Sequence, residues 1–259
     1  MKIGVSTASL YPLHTERALL ELAERGIKTT EIFLSSTLEL DGEIFASMRR
    51  TVRDYQLDVL ALHPFSSPME TMFLFGSYDR RVAEMLELYK RYFTAMNELG
   101  AKIFVLHGVN ADAKCDNARY LERFALLAES AREYGVTVAQ ENVCYCKSAS
   151  PAFLQMLKRE LGNFGVKPAF VLDLKQARRA GVCPFAIIDA LGEAIVHLHL
   201  SDGISENTCL AIGAGDFDFA RLFRETHVGG VVELYRGNYG EYDELIRYVE
   251  ILEKLSKKP

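Results

Sequence analysis

The chain has 259 residues, 49% of them hydrophobic and 25% charged, a composition typical of folded globular proteins. Its formal net charge of −5 lacks the basic excess that nucleic-acid-binding domains normally carry, so we expect no nucleic-acid partner. Apolar runs of the roughly 20 residues that span a bilayer are absent from the sequence, and we expect no membrane partner.

The start of the chain and its cysteines both favour a cytoplasmic protein. The N-terminal residues lead directly into a strand-like run without a long apolar segment, so no secretory signal peptide is predicted. The five cysteines are odd in number and irregularly spaced, which is typical of reduced thiols. Cys144 and Cys146 lack the second pair of nearby ligands that a structural zinc site needs.

Eight short apolar runs predict eight β-strands along the chain. They lie around residues 2–6, 28–34, 57–63, 101–107, 136–141, 168–173, 194–200 and 230–234. Several of them follow a glycine, which ends a preceding helix at no steric cost because it adopts positive φ readily. The runs are nearly continuous instead of alternating with polar residues, which indicates strands that are buried on both faces.

Amphipathic segments between these runs predict eight helices. They lie near residues 14–25, 41–55, 78–99, 116–134, 149–161, 184–191, 217–226 and 241–256. Alternation of strand and helix implies an α/β fold with a parallel sheet and right-handed crossovers. Eight units without a dinucleotide-binding glycine motif favour a closed (β/α)8 TIM barrel. No linker divides the sequence, so we predict a single domain over residues 1–259.

Ionisable residues recur where these strands end, which is the end of a barrel that carries the active site. From strand two to strand eight they are Glu31, His63, His107, Glu141, Asp173, His197, His199 and Glu233. Carboxylates that share a small volume repel each other unless they are protonated or bind a cation. Glu141, Asp173, His199 and Glu233 form a donor set suited to one divalent ion, with Zn²⁺, Mn²⁺, Co²⁺ and Mg²⁺ all open.

The other residues at the strand ends receive different predictions. We expect His63 and His107 to line the pocket and bind substrate, and His197 to be a hydrogen-bonded core histidine. Glu31 is open between the rim and the pocket. The loop after strand three, which includes Met72 and Phe75, is apolar for an exposed segment. Two interpretations of this loop are open: a lid over the substrate, or a subunit contact in a homo-oligomer.

Five segments form an ordered series of motifs. They are VTVAQEN at 136–142, FVLD at 170–173, HLHLSD at 197–202, IGAGDFDF at 212–219 and GVVEL at 230–234. Their order and spacing resemble the xylose-isomerase-like TIM-barrel superfamily, which includes ketose 3-epimerases, inosose isomerases and dehydratases, and zinc AP endonucleases. The resemblance covers essentially the whole chain. It implies Glu141, Asp173, His199 and Glu233 as the ligands of a single catalytic metal ion.

The sequence departs from this superfamily at several positions. Many members have a histidine three residues after the strand-six aspartate, where this chain has Gln176 preceded by Lys175. We predict that both residues bind substrate. The AP endonucleases build a three-metal site with further ligands, and here Asn207 and Cys209 stand at those positions. An AP-endonuclease-like phosphodiesterase is therefore a minor alternative.

The resemblance implies proton transfer next to a carbonyl group in a small sugar, ketose or inositol-like polyol, phosphorylated or free. We expect Glu141 and Glu233 to flank the substrate, one removing the proton and the other returning it. A divalent ion would stabilise the enediolate formed in between. Expulsion of a β-hydroxyl group from the same enediolate makes an inosose-type dehydratase the main alternative. A non-catalytic barrel that binds a sugar is a third class.

Overall fold

Eight parallel strands close into a barrel in the order β1 to β8, in a computed structural model that describes residues 1–65 and 67–257. The strands are β1 (Ile3–Ser6), β2 (Thr29–Phe33), β3 (Asp58–His63), β4 (Ile103–Leu106), β5 (Thr137–Glu141), β6 (Phe170–Asp173), β7 (Ile195–Leu200) and β8 (Gly230–Val232). The ring closes where β1 pairs with β8, from Ile3 opposite Gly230 to Val5 opposite Val232. The predicted (β/α)8 barrel is confirmed.

Ten α-helices surround the barrel in the described part of the chain. They are α1 (Thr15–Glu24), α2 (Gly42–Tyr55), α3 (Ser67–Phe73), α4 (Asp79–Leu99), α5 (Asn117–Arg132), α6 (Pro151–Glu160), α7 (Leu174–Arg179), α8 (Pro184–Leu191), α9 (Phe219–Thr226) and α10 (Asp243–Leu255). The eight predicted helices are all present. None of the described helices is both long enough and apolar enough to cross a membrane.

Two short helices, α3 and α7, were not predicted, because six or seven residues are too few to show a helical hydrophobic period. Helix α3 occupies much of the apolar segment after β3. Phe75, just beyond it, is buried and stacks on Tyr120 with ring centroids 4.2 Å apart. Met72 remains exposed. Much of this segment is therefore anchored to the core and does not form a loose surface loop.

The inner face of the barrel has an apolar layer below an ionisable layer. Small side chains from neighbouring strands fill the interior, among them Ala61, Val105, Ala139 and Val171. Residues two apart on a strand face the same side. The inward positions that come next toward the C-terminal end are the ionisable residues His63, His107, Glu141 and Asp173. The strand period therefore turns these four side chains toward the interior of the barrel.

Strands β4 and β8 end earlier than predicted, which places a site residue just beyond each of them. His107 follows β4 because Gly108, at φ 88°, turns the chain out of the sheet. Glu233 follows β8, although its backbone N–H still donates to the carbonyl oxygen of Leu200 at 3.0 Å. Both side chains remain at the C-terminal end of the barrel.

Candidate metal centre

Four ionisable side chains from the C-terminal ends of β5, β6, β7 and β8 converge on one small volume. His199 lies at its centre, and its Nδ1 is 3.3 Å from Oε1 of Glu141, 3.5 Å from Oδ2 of Asp173 and 3.1 Å from Oε2 of Glu233. One candidate ligand atom from each residue lies within 4.8 Å of the other three. Glu233 retains 13% of its side-chain exposure, whereas the other three are almost fully buried. The structure thus brings together the four predicted ligands.

The donor chemistry of this cluster fits a divalent cation. Three carboxylate groups and one imidazole nitrogen match the oxygen-rich donor sets of Mn²⁺, Mg²⁺, Co²⁺ and Zn²⁺. The electrostatics agree with the donor set. Burial lowers the pKa of the His199 imidazolium, but the charges of Glu31 and Glu233 outweigh burial and raise its pKa well above the ordinary value. Positive charge is therefore favoured at this point of the barrel.

The carboxylates respond differently to their surroundings. Burial tends to raise the pKa of Glu141, yet the facing His107 and His199 rings hold that pKa well below its ordinary value. Burial also tends to raise the pKa of Glu233, but the charges of Lys175 and His199 lower that pKa below its ordinary value. For Asp173 burial prevails and the pKa is raised. The lowered pKa values favour the ionised forms of Glu141 and Glu233, and the ionised form is the one that a general base requires.

The predicted substrate-binding residue Lys175 lies within the cluster. Its Nζ is 2.5 Å from Oδ2 of Asp173 and 2.5 Å from Oε2 of Glu233. Only 5% of the lysine side chain is exposed. Burial lowers the pKa of this ammonium group, but the two carboxylates raise it well above its ordinary value. One positive charge therefore already touches two of the candidate ligands.

A second buried cluster lies directly beneath the first. Oε2 of Glu31 is 3.1 Å from Nε2 of His197 and 3.0 Å from Nε2 of His199. The Ser6 hydroxyl donates to the other oxygen, Oε1, at 3.0 Å. Burial tends to raise the pKa of Glu31, but His199 and His197 hold it well below its ordinary value. Glu31 is therefore neither a rim residue nor exposed in the pocket, and His197 is hydrogen-bonded within the core.

His63 and His107 line the opposite side of Glu141. Nε2 of His107 is 2.9 Å from Oε2 of Glu141, and Nε2 of His63 is 3.5 Å from the same oxygen. The two histidine Nε2 atoms are 2.8 Å apart. At the rim, Nδ1 of His107 lies 3.4 Å from the Tyr145 hydroxyl. These three site residues also form a group of possible metal ligands, with Glu141 shared between the two groups.

Gln176 connects two rim segments. Its side-chain oxygen accepts a hydrogen bond from the backbone N–H of Cys144 at 3.2 Å. The backbone N–H of Gln176 donates to Oδ1 of Asp173 at 2.9 Å. The remaining polar group of the side chain is its amide nitrogen. Cys209 is buried, with its Sγ 3.4 Å from Oδ1 of Asn238. No group of candidate ligands among the described residues includes Cys209.

The fold and the site together define a (β/α)8 barrel that has a carboxylate and histidine cluster at the C-terminal ends of its strands. The model of the xylose isomerase-like TIM barrel family matches residues 19–231. The chain therefore belongs to the xylose isomerase-like TIM barrel family, as its sequence motifs predict.

Similar sequences include two mycobacterial proteins that are uncharacterised. The protein from Mycobacterium leprae is 27% identical over 225 residues, which cover 78% of this chain and 75% of that protein. The protein from Mycobacterium tuberculosis is 28% identical over 224 residues, with the same coverage of both chains. Because both relatives are uncharacterised, they indicate no activity for this chain.

Several solved structures share the fold. A D-tagatose 3-epimerase-like protein has a TM-score of 0.78 and 18% identity, covering 98% of this chain and 97% of its own. The probable 3-DHS dehydratase AsbF from Bacillus anthracis has a TM-score of 0.77 and 13% identity, with complete coverage of both chains. The 3-keto-D-glucoside 4-epimerase YcjR from E. coli has a TM-score of 0.71 and 16% identity, again with complete coverage. At these identities the likeness establishes the fold alone.

Proposed function

We propose that this protein is a divalent-metal-dependent isomerase or epimerase of a small sugar, ketose or inositol-like polyol. The observation that carries the proposal is the meeting of two carboxyl groups, those of Glu141 and Glu233, at Nδ1 of one buried histidine. They come from β5 and from the end of β8, which are not neighbours in the barrel. Sugar epimerases among the structures of the same fold support the assignment.

Glu141, Asp173, His199 and Glu233 would hold the divalent ion, which is Zn²⁺, Mn²⁺, Co²⁺ or Mg²⁺. When bound, such an ion supplies Lewis-acid stabilisation of the negative charge that develops on substrate oxygen as a neighbouring carbon loses its proton. Asp173 is fixed by the backbone N–H of Gln176, so its role is to hold the ion. His199 is held from below by Glu31 and has the same role.

Glu141 and Glu233 are the residues that move the proton. The carboxylate of one glutamate removes the proton from the carbon next to the substrate carbonyl. The other glutamate, which has taken up a proton from solvent, delivers it to the opposite face, and proton exchange with solvent restores both groups. The product is the epimer at that carbon, whereas return to the neighbouring carbon gives the isomer. His63 and His107 would hydrogen-bond to substrate oxygens through Nε2, which both present beside Glu141. Nδ1 of His63 donates to the carbonyl oxygen of Pro64 at 3.0 Å, so Nε2 of His63 donates to substrate only when its ring is doubly protonated. Lys175 and the amide nitrogen of Gln176 would bind substrate from the side of α7.

Dehydration is the second candidate, and one observation favours it. The probable dehydratase from Bacillus anthracis shares the fold over the whole length of both chains. Removal of the same α-proton, followed by departure of a hydroxide from the adjacent carbon with a proton from the site, releases one water. The two candidate reactions therefore share their first step and the same base.

The test combines metal analysis with a substrate screen in deuterated water. We expect about one divalent metal ion per chain, lost in a Glu141→Ala/Asp173→Ala variant that remains folded. Incubation with ketoses and inososes should give an epimer or isomer carrying deuterium at the reacting carbon. A product lighter by one water would select the dehydratase. A metal-loaded chain that binds sugar tightly without any turnover would contradict catalysis, and about three metal ions per chain would favour a phosphodiesterase.

A further inference from the structure

Lys175 reaches the ligand cluster because α7 starts directly after Asp173. Asp173 ends β6 and caps α7, with its Oδ1 accepting the backbone N–H of Gln176. Side chains in the first turn of a helix point back toward its N-terminus. The lysine stem therefore runs back over the end of β6, toward the second oxygen of Asp173. Since Oδ1 is used by the helix cap, Oδ2 is the oxygen that remains for a cation.

The ammonium group contacts the same atoms that would bind a metal ion. Its two partners are Oδ2 of Asp173 and Oε2 of Glu233, each at 2.5 Å. These two oxygens also face Nδ1 of His199, at 3.5 and 3.1 Å. A divalent ion held by these same oxygens would place a second positive charge close to Nζ. Like charges at such separations in a buried site repel strongly.

The charge of the cluster explains why a lysine is tolerated there. Glu141, Asp173 and Glu233 together bring three carboxylates into a volume from which water is largely excluded. Without a counter-charge their mutual repulsion would destabilise the folded chain. Lys175 supplies one positive charge, which offsets part of the repulsion. A divalent ion supplies two positive charges and would offset more of it.

We propose that Lys175 is a built-in counter-cation that competes with the divalent ion for Asp173 and Glu233. The inference rests on the metal site of the proposed function and adds that metal binding there is weakened by the chain itself. In the metal-free protein the ammonium group stabilises the carboxylates. When the ion binds, the ammonium group moves away from the oxygens of Asp173 and Glu233 that it contacts in the metal-free protein.

The experiment measures Mn²⁺ binding to metal-free protein at one fixed pH and salt concentration. Wild type, Lys175→Met and Lys175→Arg are compared by isothermal titration calorimetry. Lys102→Met is the matched control. Lys102 is an exposed lysine directly before β4, at the N-terminal end of the barrel strands and away from the candidate metal centre. We expect Lys175→Met to bind Mn²⁺ at least about tenfold more tightly than wild type, a factor that corresponds to about 1.4 kcal/mol. Lys175→Arg should stay near the wild-type affinity or below it.

A second readout uses melting temperature. Metal-free Lys175→Met should melt below wild type, and Mn²⁺ should raise its melting temperature by more than it raises that of wild type. If Lys175→Met does not fold without metal, Lys175→Gln replaces it, since its amide can still donate to one carboxylate. Equal or weaker Mn²⁺ affinity in a folded, uncharged variant would overturn the competition while leaving the metal site intact. No binding to wild type or variant would overturn both.

Discussion

Glu31 and His199 meet in the barrel interior, where Oε2 of the carboxylate lies 3.0 Å from Nε2 of the imidazole. An ionised carboxylate only accepts hydrogen bonds, so Nε2 of His199 must carry the hydrogen. Nδ1 is thereby turned toward the three carboxylates of the candidate metal centre. Because Ser6 fixes the other oxygen of Glu31, strands β1 and β2 orient a histidine that belongs to β7.

Replacing Glu31 by glutamine should weaken metal binding. The variant keeps the size of the side chain but loses the charge that holds the ring of His199, and such supporting contacts are typically worth about 10- to 100-fold in metal affinity. Calorimetric titration of metal-free protein with Mn²⁺ checks the expectation. Ser6→Ala, which removes only the hydrogen bond to Oε1, is the milder control and should lose less affinity. Wild-type Mn²⁺ affinity in folded Glu31→Gln would show that the contact does not orient the ligand.

Replacing either glutamate assigned to proton transfer by glutamine should lower kcat. Glu141→Gln and Glu233→Gln each retain an oxygen ligand but lose the base, so we expect kcat to fall by about 100-fold or more. Proton NMR in deuterated water separates their roles, because the variant that keeps the first base still exchanges the α-proton without epimerising. Metal content is measured alongside. A metal-loaded Glu233→Gln that epimerises at the wild-type rate contradicts the assignment.

The pairing of β7 with β8 depends on the absence of a side chain at Gly230. A Cβ atom there would lie 2.2 Å from the backbone carbonyl oxygen of Leu198, on the neighbouring strand β7. Gly230→Ala must push the two strands apart, and we expect it to lower the free energy of unfolding by about 1–3 kcal/mol. Urea denaturation measures the change. Gly237→Ala is the control, because its Cβ would meet nothing within 4 Å and should alter stability little.

Strand ends were the part of the site that the sequence could predict. A residue that ends a barrel strand faces the C-terminal rim whatever the surrounding helices do, so Glu141, Asp173 and His199 could be placed from periodicity alone. The contact of Lys175 with Asp173 and Glu233 could not be predicted in this way. Its direction depends on α7, whose six residues are too few to reveal a helix. Substrate binding was predicted for Lys175, and its place between two candidate ligands became visible only in the structure.

The buried carboxyl group of Glu70 was missed for a related reason. It belongs to α3, in a segment whose sequence predicts an apolar loop. A single acidic residue in a short apolar segment carries no signal that it points inward. In the structure its Oε2 accepts the backbone N–H of Gly108 at 2.6 Å, and its Oε1 accepts the Tyr89 hydroxyl at 3.3 Å. Glu70 therefore ties α3 to the end of β4, beside His107.

The contribution of Glu70 to the stability of the fold should decrease with rising pH. Burial raises the pKa of its carboxyl group from 4.5 to about 8, so the folded chain retains a proton that the unfolded chain releases between these values. The unfolded state binds fewer protons in this pH range, and stability is lost as the pH rises, by at most about 1.4 kcal/mol per pH unit.

Glu70→Gln, which cannot ionise, should gain stability relative to wild type between about pH 5 and pH 8. Urea denaturation in the presence of a chelator measures this gain, with the exposed Glu250→Gln as control. Parallel pH profiles for wild type and Glu70→Gln would contradict the raised pKa.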